Sequence, residues 1–247
     1  MKNEVKCNNR LVKFGYGLFE TMKVCQGEVI LLNEHLDRLY NSLNYFDFSF
    51  DIEKEDLRAK VMKYVTDLEY KAFRITVFDG GYHFSLRNIP YNIRDYEKGY
   101  NLKIAPVKRG DSFIYHHKTV NYMENIVLKN RVTEKGFDEV LFLDMNDYIL
   151  ECSTANIFFI AGSTLYTPDD ELSFLSGITR KKVLQIADKM GYKVIEDRIK
   201  VDKLSDFDAV FITNSLMDLM PVVAIEDIEF EKGNKTFQKL KEEFSIF

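Results

Sequence analysis

Two spacings of apolar residues, a period of two and a period near 3.6, are interleaved along this chain from end to end. Over residues 17–32 the run GLFETMKVCQGEVILL places two β-compatible stretches around the turn-forming pair Gln26-Gly27 and predicts a hairpin. Asn33 is then positioned to cap a helix that carries Leu36, Leu39, Tyr40, Leu43 and Phe46 on one face. A second helix is expected over residues 53–66, and strands over 72–78 and 102–107. Between those strands, residues 79–100 are rich in Gly, Asn, Tyr and Arg and read as one long loop, a feature that usually has a functional task.

The pattern resets at residues 108–112. A helix near 121–135 precedes strands at Glu139–Asp144, 148–151, 156–160 and 164–166. After Ser176-Gly177 a helix carries Val183, Leu184, Ile186, Ala187 and Met190 and stops at Gly191. Strands at 193–196, 209–213 and 222–230 and a closing helix over Lys235–Phe244 complete the order. Hairpins with interspersed helices predict an α+β fold rather than a regular βαβ array. The reset divides the chain into a smaller lobe, residues 1–107, and a larger one, residues 108–247, and no internal repeat is evident.

Composition narrows the class. At 247 residues the chain can fill a substantial core. A net charge of −5, spread through mixed stretches, provides no basic field for nucleic acid phosphates. The 3 cysteines, Cys7, Cys25 and Cys152, fit neither a disulfide framework nor a metal site, and free thiols in a reducing cytoplasm are expected. The polar stretch over residues 1–10 and the lack of a long apolar run predict a protein with neither export signal nor membrane span.

Serine elbows, Walker loops, zinc helices and dinucleotide fingerprints are missing. What remains is individually ordinary. Lys118 lies in IYHHKTVNYMEN just before a helix, and Glu151 lies in the otherwise apolar YILECSTANIFF, where a carboxylate needs a partner. Ser176-Gly177-Ile178-Thr179 opens a helix whose exposed N–H groups could bind an anion. Thr213-Asn214-Ser215 ends an apolar strand and could add donors, and Arg38 flanks the apolar face of its helix.

Taken in order, FGYGLFETMKV, EHLDRLYNS, HHKTVNYMENIVLKNR, GFDEVLFLD, ILECSTANIFFI, LYTPDDELSFLSGITR and FITNSLMDLMPV resemble the class IV aminotransferases, the fold type IV pyridoxal-phosphate enzymes. The segments span nearly the whole chain. The resemblance implies a two-lobe fold, pyridoxal 5'-phosphate as cofactor, no metal, and a homodimer. It also implies residue roles. Lys118 carries the cofactor through its amine, Glu151 faces the pyridine nitrogen, and Arg38, the Ile178-Thr179 backbone and Ser215 hold the phosphate. Tyr122 is similar to family positions that contact the cofactor's phenolic oxygen.

Within the family, Thr-Asn-Ser-Leu-Met ahead of Pro221-Val222 resembles the branch that cleaves 4-amino-4-deoxychorismate to 4-aminobenzoate and pyruvate for folate synthesis. Transaminases typically carry a small-residue loop there. Asp79 stands where many relatives have a carboxylate-binding Arg before Gly, which also disfavours the alternative, a branched-chain or D-amino-acid transaminase. Asn214, Leu216, His83 and Arg87 are the candidate substrate contacts. The family's first strand is shortened here, and Tyr16 replaces a commoner Asp.

Overall fold

The computed structural model describes residues 4–244, so the outermost residues of the expected lobes, and of the polar stretch over 1–10, lie outside it. Contacts divide the chain into two compact units, one comprising residues up to Pro90 together with His117–Tyr122, the other Tyr91–His116 with everything from Met123 onward.

The first unit contains α1 (Arg10–Phe14), β1 (Gly17–Cys25), β2 (Glu28–Val29), α2 (Leu32–Tyr45), α3 (Lys54–Val65), β3 (Tyr70–Phe78) and β4 (Gly81–Arg87). Its antiparallel sheet has the order β2-β1-β3-β4. The period of two decides which face is buried. Leu18, Met22 and Val24 of β1 and Phe73, Ile75 and Val77 of β3 meet Leu36, Leu39 and Leu43 of α2 and Leu57, Val61 and Val65 of α3. The β1–β2 turn falls at Gln26 (φ 50°) and Gly27 (φ 78°), where a Cβ on residue 27 would sit 2.6 Å from the Thr66 carbonyl oxygen. Asn33 does not cap α2. The helix opens at Leu32 behind a left-handed Leu31 (φ 54°) with no side-chain cap, because Leu32 and Leu36 must already lie on the buried helical face.

The expected loop over 79–100 is also corrected. It contains β4 and, in the second unit, α4 (Ile93–Lys98). Tyr82 and Phe84 alternate into the core while His83 and Ser85 point away, a two-residue repeat too short to stand out in a Gly- and Tyr-rich stretch.

The second unit continues with β5 (Tyr100–Arg109), α5 (Met123–Thr133), β6 (Glu139–Asp144), β7 (Ile149–Cys152), β8 (Asn156–Ala161), β9 (Thr164–Pro168), α6 (Ile178–Lys189), β10 (Lys193–Asp197), β11 (Ala209–Asn214), β12 (Asp218–Ile225), β13 (Ile228–Glu229) and α7 (Lys235–Phe244). Its strands run β10-β9-β8-β11-β12-β5-β6-β7, with β13 paired to β12. The near-continuous apolar runs of β8 and β11 are explained by burial on both faces. Phe158, Ile160 and Phe211 pack with Val183 and Ile186 of α6 and Phe237 and Leu240 of α7, while Ile157, Phe159 and Ile212 face Leu141, Met220 and Val222. The strand expected over 222–230 is two strands, broken at Glu226 (φ 51°).

The expected division after residue 107 does not coincide with the contacts. β5 pairs in parallel with β12 and β6, which binds residues 100–109 into the second sheet. Residues 117–122 return to the first unit: Phe19 N donates to the Lys118 carbonyl (2.9 Å) and Val120 N to that of Gly17 (3.0 Å). Lys118 therefore groups with the smaller unit. Among the described residues no helix is long and apolar enough to cross a membrane.

Candidate active site

In the first unit Lys118 is anchored by its backbone to the start of β1. Its Nζ stands 4.7 Å from the centre of the Phe19 ring and 3.5 Å from the Tyr122 hydroxyl. Tyr122 meets Phe19 edge-on, with ring centres 5.1 Å apart. A second cation, unforeseen in the sequence, shares that aromatic: the Arg74 guanidinium carbon is 3.7 Å from the Phe19 ring centre. Arg74 Nε donates to Thr76 Oγ1 at 3.2 Å. Burial pulls the Arg74 pKa down, against the pull of the neighbouring Tyr122 phenol, and Arg87 adds a like charge.

Register places the substrate candidates of this unit. Thr76 pairs with His83, Ala72 with Arg87 and Arg74 with Ser85, so Arg74, His83 and Arg87 project from the sheet face opposite the core. Arg87 is exposed and His83 half-buried.

Arg38 behaves differently from the solvated charge its position suggests. Its Nε and Nη2 donate to the two oxygens of Glu20 at 2.8 and 2.7 Å, and Glu20 also bonds His35 Nδ1 at 2.6 Å. Glu20 and His35 were not among the candidates, although Glu20 falls in the inward phase of β1 with Leu18 and Met22, a detectable signal. Burial opposes the charge on Glu20, but the Arg38 guanidinium and the His35 contact overcome it and hold the carboxyl at about 2. Burial also pushes His35 down, so the imidazole is neutral and donates from Nδ1 to the carboxylate.

A folded-state value below the unfolded one stabilises the protein above the unfolded pKa, and that contribution is lost as the pH falls through the folded value. From 4.5 to about 2 the drop corresponds to about 3 kcal/mol. Denaturation of wild type and Glu20→Gln at pH 7 and pH 3 is expected to show a stability difference that narrows markedly at the lower pH. An unchanged difference would mean that Glu20 is not held ionised by its partners.

In the second unit Glu151 stands beside a cation at the end of β5. Arg109 Nη1 donates to Glu151 Oε1 at 3.0 Å, Arg109 Nη2 to Asn125 Oδ1 at 2.8 Å, and the guanidinium carbon lies 3.5 Å from the Phe142 ring centre. Arg109 is 2% exposed, so this is an interior ion pair, and no pattern in the sequence marks it. The connection after Glu151 is fixed by buried Glu139, which accepts from Lys129 (2.9 Å), Thr154 (3.0 Å) and Ser153.

Helix α6 opens at Gly177 with no side-chain cap. Gly177 N donates to Asn156 Oδ1 at 3.1 Å, and a Cβ on residue 177 would lie 2.1 Å from that oxygen and displace the Asn156 side chain. Ile178 and Thr179 are buried in the first turn, and Thr179 Oγ1 is 3.5 Å from Ser215 Oγ. Thr213 Oγ1, one strand position back from Asn214, is buried and unpartnered. The uncapped first turn of α6 and the neighbouring Thr179 and Ser215 hydroxyls form a donor cluster suited to an anion.

Asn214 is fully engaged within its own unit. Its Oδ1 accepts from Leu216 N and Met217 N, both at 2.9 Å, and its Nδ2 donates to the Thr154 carbonyl at 3.0 Å. Leu216 is 6% exposed and meets this turn through its backbone.

The model of the family described as amino-transferase class IV matches residues 17–225. A solved structure from Legionella pneumophila subsp. pneumophila str. Philadelphia 1, named "putative 4-amino-4-deoxychorismate lyase", superposes with a TM-score of 0.92 at 26% identity over 100% of this chain and 96% of that one. A T.th. branched-chain amino acid aminotransferase, solved with pyridoxamine 5'-phosphate, gives 0.88 at 22% identity over 99% and 88%. By sequence, a Rickettsia felis protein named "probable branched-chain-amino-acid aminotransferase" is 29% identical over 225 residues, 85% of this chain and 77% of that one.

Proposed function

This chain belongs to the class IV aminotransferase family, whose cofactor is pyridoxal 5'-phosphate, and on that premise we propose that it cleaves 4-amino-4-deoxychorismate to 4-aminobenzoate and pyruvate. The observation that carries the choice within the family is the turn after β11. Asn214 Oδ1 takes the N–H groups of Leu216 and Met217, so neither is left to hold the carboxylate of a 2-oxo acid. The likeness to the Legionella structure supports the same choice.

The residues fit the cofactor. The uncapped first turn of α6, the Thr179 and Ser215 hydroxyls and the orphaned Thr213 hydroxyl form a donor set for a phosphate. Arg38, whose guanidinium is paired with Glu20, is the further phosphate partner that the family resemblance implies. Glu151, held by Arg109, would pair with the pyridine nitrogen, and Lys118 would bind through its amine. When bound, the cofactor supplies an electron-withdrawing ring that stabilises negative charge on the carbon beside the substrate nitrogen.

Lys118, once released by the incoming substrate amine, is the base that takes the proton from that carbon. Loss of the enolpyruvyl group from the adjacent carbon then makes the substrate ring aromatic, which drives the step forward. Phe19 covers the Lys118 amine and keeps water from one side of it. Arg74, over the same ring, holds a substrate carboxylate, with Arg87 and the His83 imidazole on the same sheet face. A charged hydrogen bond of this kind contributes about 1.5–3 kcal/mol. Arg74→Ala is therefore expected to raise KM about 10- to 100-fold with a smaller change in kcat, measured by steady-state pyruvate release. An unchanged KM would remove Arg74 from the substrate site.

The test of the reading is direct. The cofactor-loaded protein is supplied with enzymatically generated 4-amino-4-deoxychorismate, beside an amino-donor and 2-oxo acid exchange assay. Pyruvate and 4-aminobenzoate released together, with little exchange, establish the lyase. Exchange without pyruvate makes the protein a transaminase, as the Rickettsia relative is named. The exposed apolar residues Met123, Ile126 and Val127 on one face of α5 support a homodimer, which sedimentation equilibrium would detect.

A further inference from the structure

We propose that Tyr122 is a second proton-transfer residue, whose phenol delivers the proton needed by the departing three-carbon fragment; this rests on the lyase reading above. The reaction has two proton operations at two different carbons. One proton leaves the ring carbon that bears the nitrogen. Another arrives at the terminal methylene of the enolpyruvyl group. A single lysine amine would have to reach both carbons in turn.

The first unit places two groups side by side for these tasks. Lys118 Nζ donates toward the Tyr122 hydroxyl at 3.5 Å, a separation that one proton crosses after a small tightening on substrate binding. Phe19 lies against both groups, with Lys118 Nζ 4.7 Å from its centre and the Tyr122 ring edge-on at 5.1 Å. The Arg74 guanidinium is over that same ring and within electrostatic reach of the phenol. A fixed cation there favours the phenolate left behind by proton donation.

The steps balance without an outside reagent. Lys118 removes the proton from the ring carbon, and that C–H electron pair becomes part of the aromatic ring as the ring C–O bond breaks. The C–O pair leaves with the three-carbon fragment as an enolate. The Tyr122 O–H bond breaks, a C–H bond forms on the methylene carbon, and pyruvate results. The Tyr122 phenolate recovers a proton from the Lys118 ammonium, and both residues return to their starting state.

Tyr122→Phe keeps the ring against Phe19 and removes only the hydroxyl. We expect kcat for pyruvate release at saturating cofactor to fall about 100-fold or more, with KM within about threefold. The solvent deuterium isotope effect on kcat should rise, because the missing proton donor makes protonation limiting. A second readout needs neither cofactor nor substrate. Lys118 in the cofactor-free protein loses an acceptor for its ammonium, so competitive acetylation, mapped by mass spectrometry at one neutral pH, should label it about threefold faster in Tyr122→Phe. A variant that keeps kcat within about threefold overturns the proposal, as does one whose activity is restored by saturating cofactor. Wild-type protein that exchanges amino groups without releasing pyruvate overturns the lyase reading and this step with it. The acetylation ratio separately tests the Lys118–Tyr122 hydrogen bond.

Discussion

Lys118→Ala is expected to lose pyruvate release by at least about 10⁴-fold, the upper range of a positioned proton-transfer group, and to lose the visible absorbance of the lysine-linked cofactor. Both effects follow from the role proposed for Lys118, one amine used both as the attachment point and as the base. The fold should survive, because Lys118 is held by its backbone: its carbonyl accepts from Phe19 N at 2.9 Å, and neighbouring Val120 N donates to Gly17. Circular dichroism of the variant is therefore expected to match wild type while its solution is colourless. An Ala variant that stays coloured and active would place the attachment point elsewhere.

The second large effect concerns stability. Arg109→Met is expected to destabilise the second unit by about 3–5 kcal/mol, because it leaves the Glu151 carboxylate buried without its cation. Arg109 and Glu151 side chains are 1% and 12% exposed, so solvent screens the pair little. The Asn125 Oδ1 acceptor loses its donor as well. Glu124, 44% exposed and 3.4 Å from Arg109 Nε, contributes little to this loss. Replacing both partners, Arg109→Met with Glu151→Leu, should recover a good part of the stability while cofactor function stays lost. Guanidinium denaturation of the two single variants and the double variant provides the cycle. A cost below about 1 kcal/mol for Arg109→Met would show that the pair is held in place by its surroundings rather than holding them.

Much of the fold was legible because burial imprints a period. The inward residues of β1 and β3, the apolar face of α2 and the doubly buried β8 and β11 each repeat long enough to be recognised. Where the repeat is short, it failed: β4 has only Tyr82 and Phe84 on its core face, and the stretch around it read as loop. Asn33 looked like a cap because its residue type is common there, but tertiary packing started α2 two residues earlier, with the cap at Leu31.

The amino-acid sequence by itself determined most of the longer elements, the α+β class and the family, since these depend on local periodicity and on short characteristic runs of residues. It also singled out Lys118, Glu151 and the α6 opening as candidates. Only the tertiary structure decided what those side chains meet. Glu20 reaches His35 and Arg38 across the β1–α2 contact, Arg109 reaches Glu151 across 42 positions, and Arg74 shares the Phe19 ring with Lys118. The physical reason is that a charge is stabilised or strained by neighbours within a few ångströms, whatever their separation along the chain. Neighbours that distant in sequence carry no period for a linear pattern to reveal.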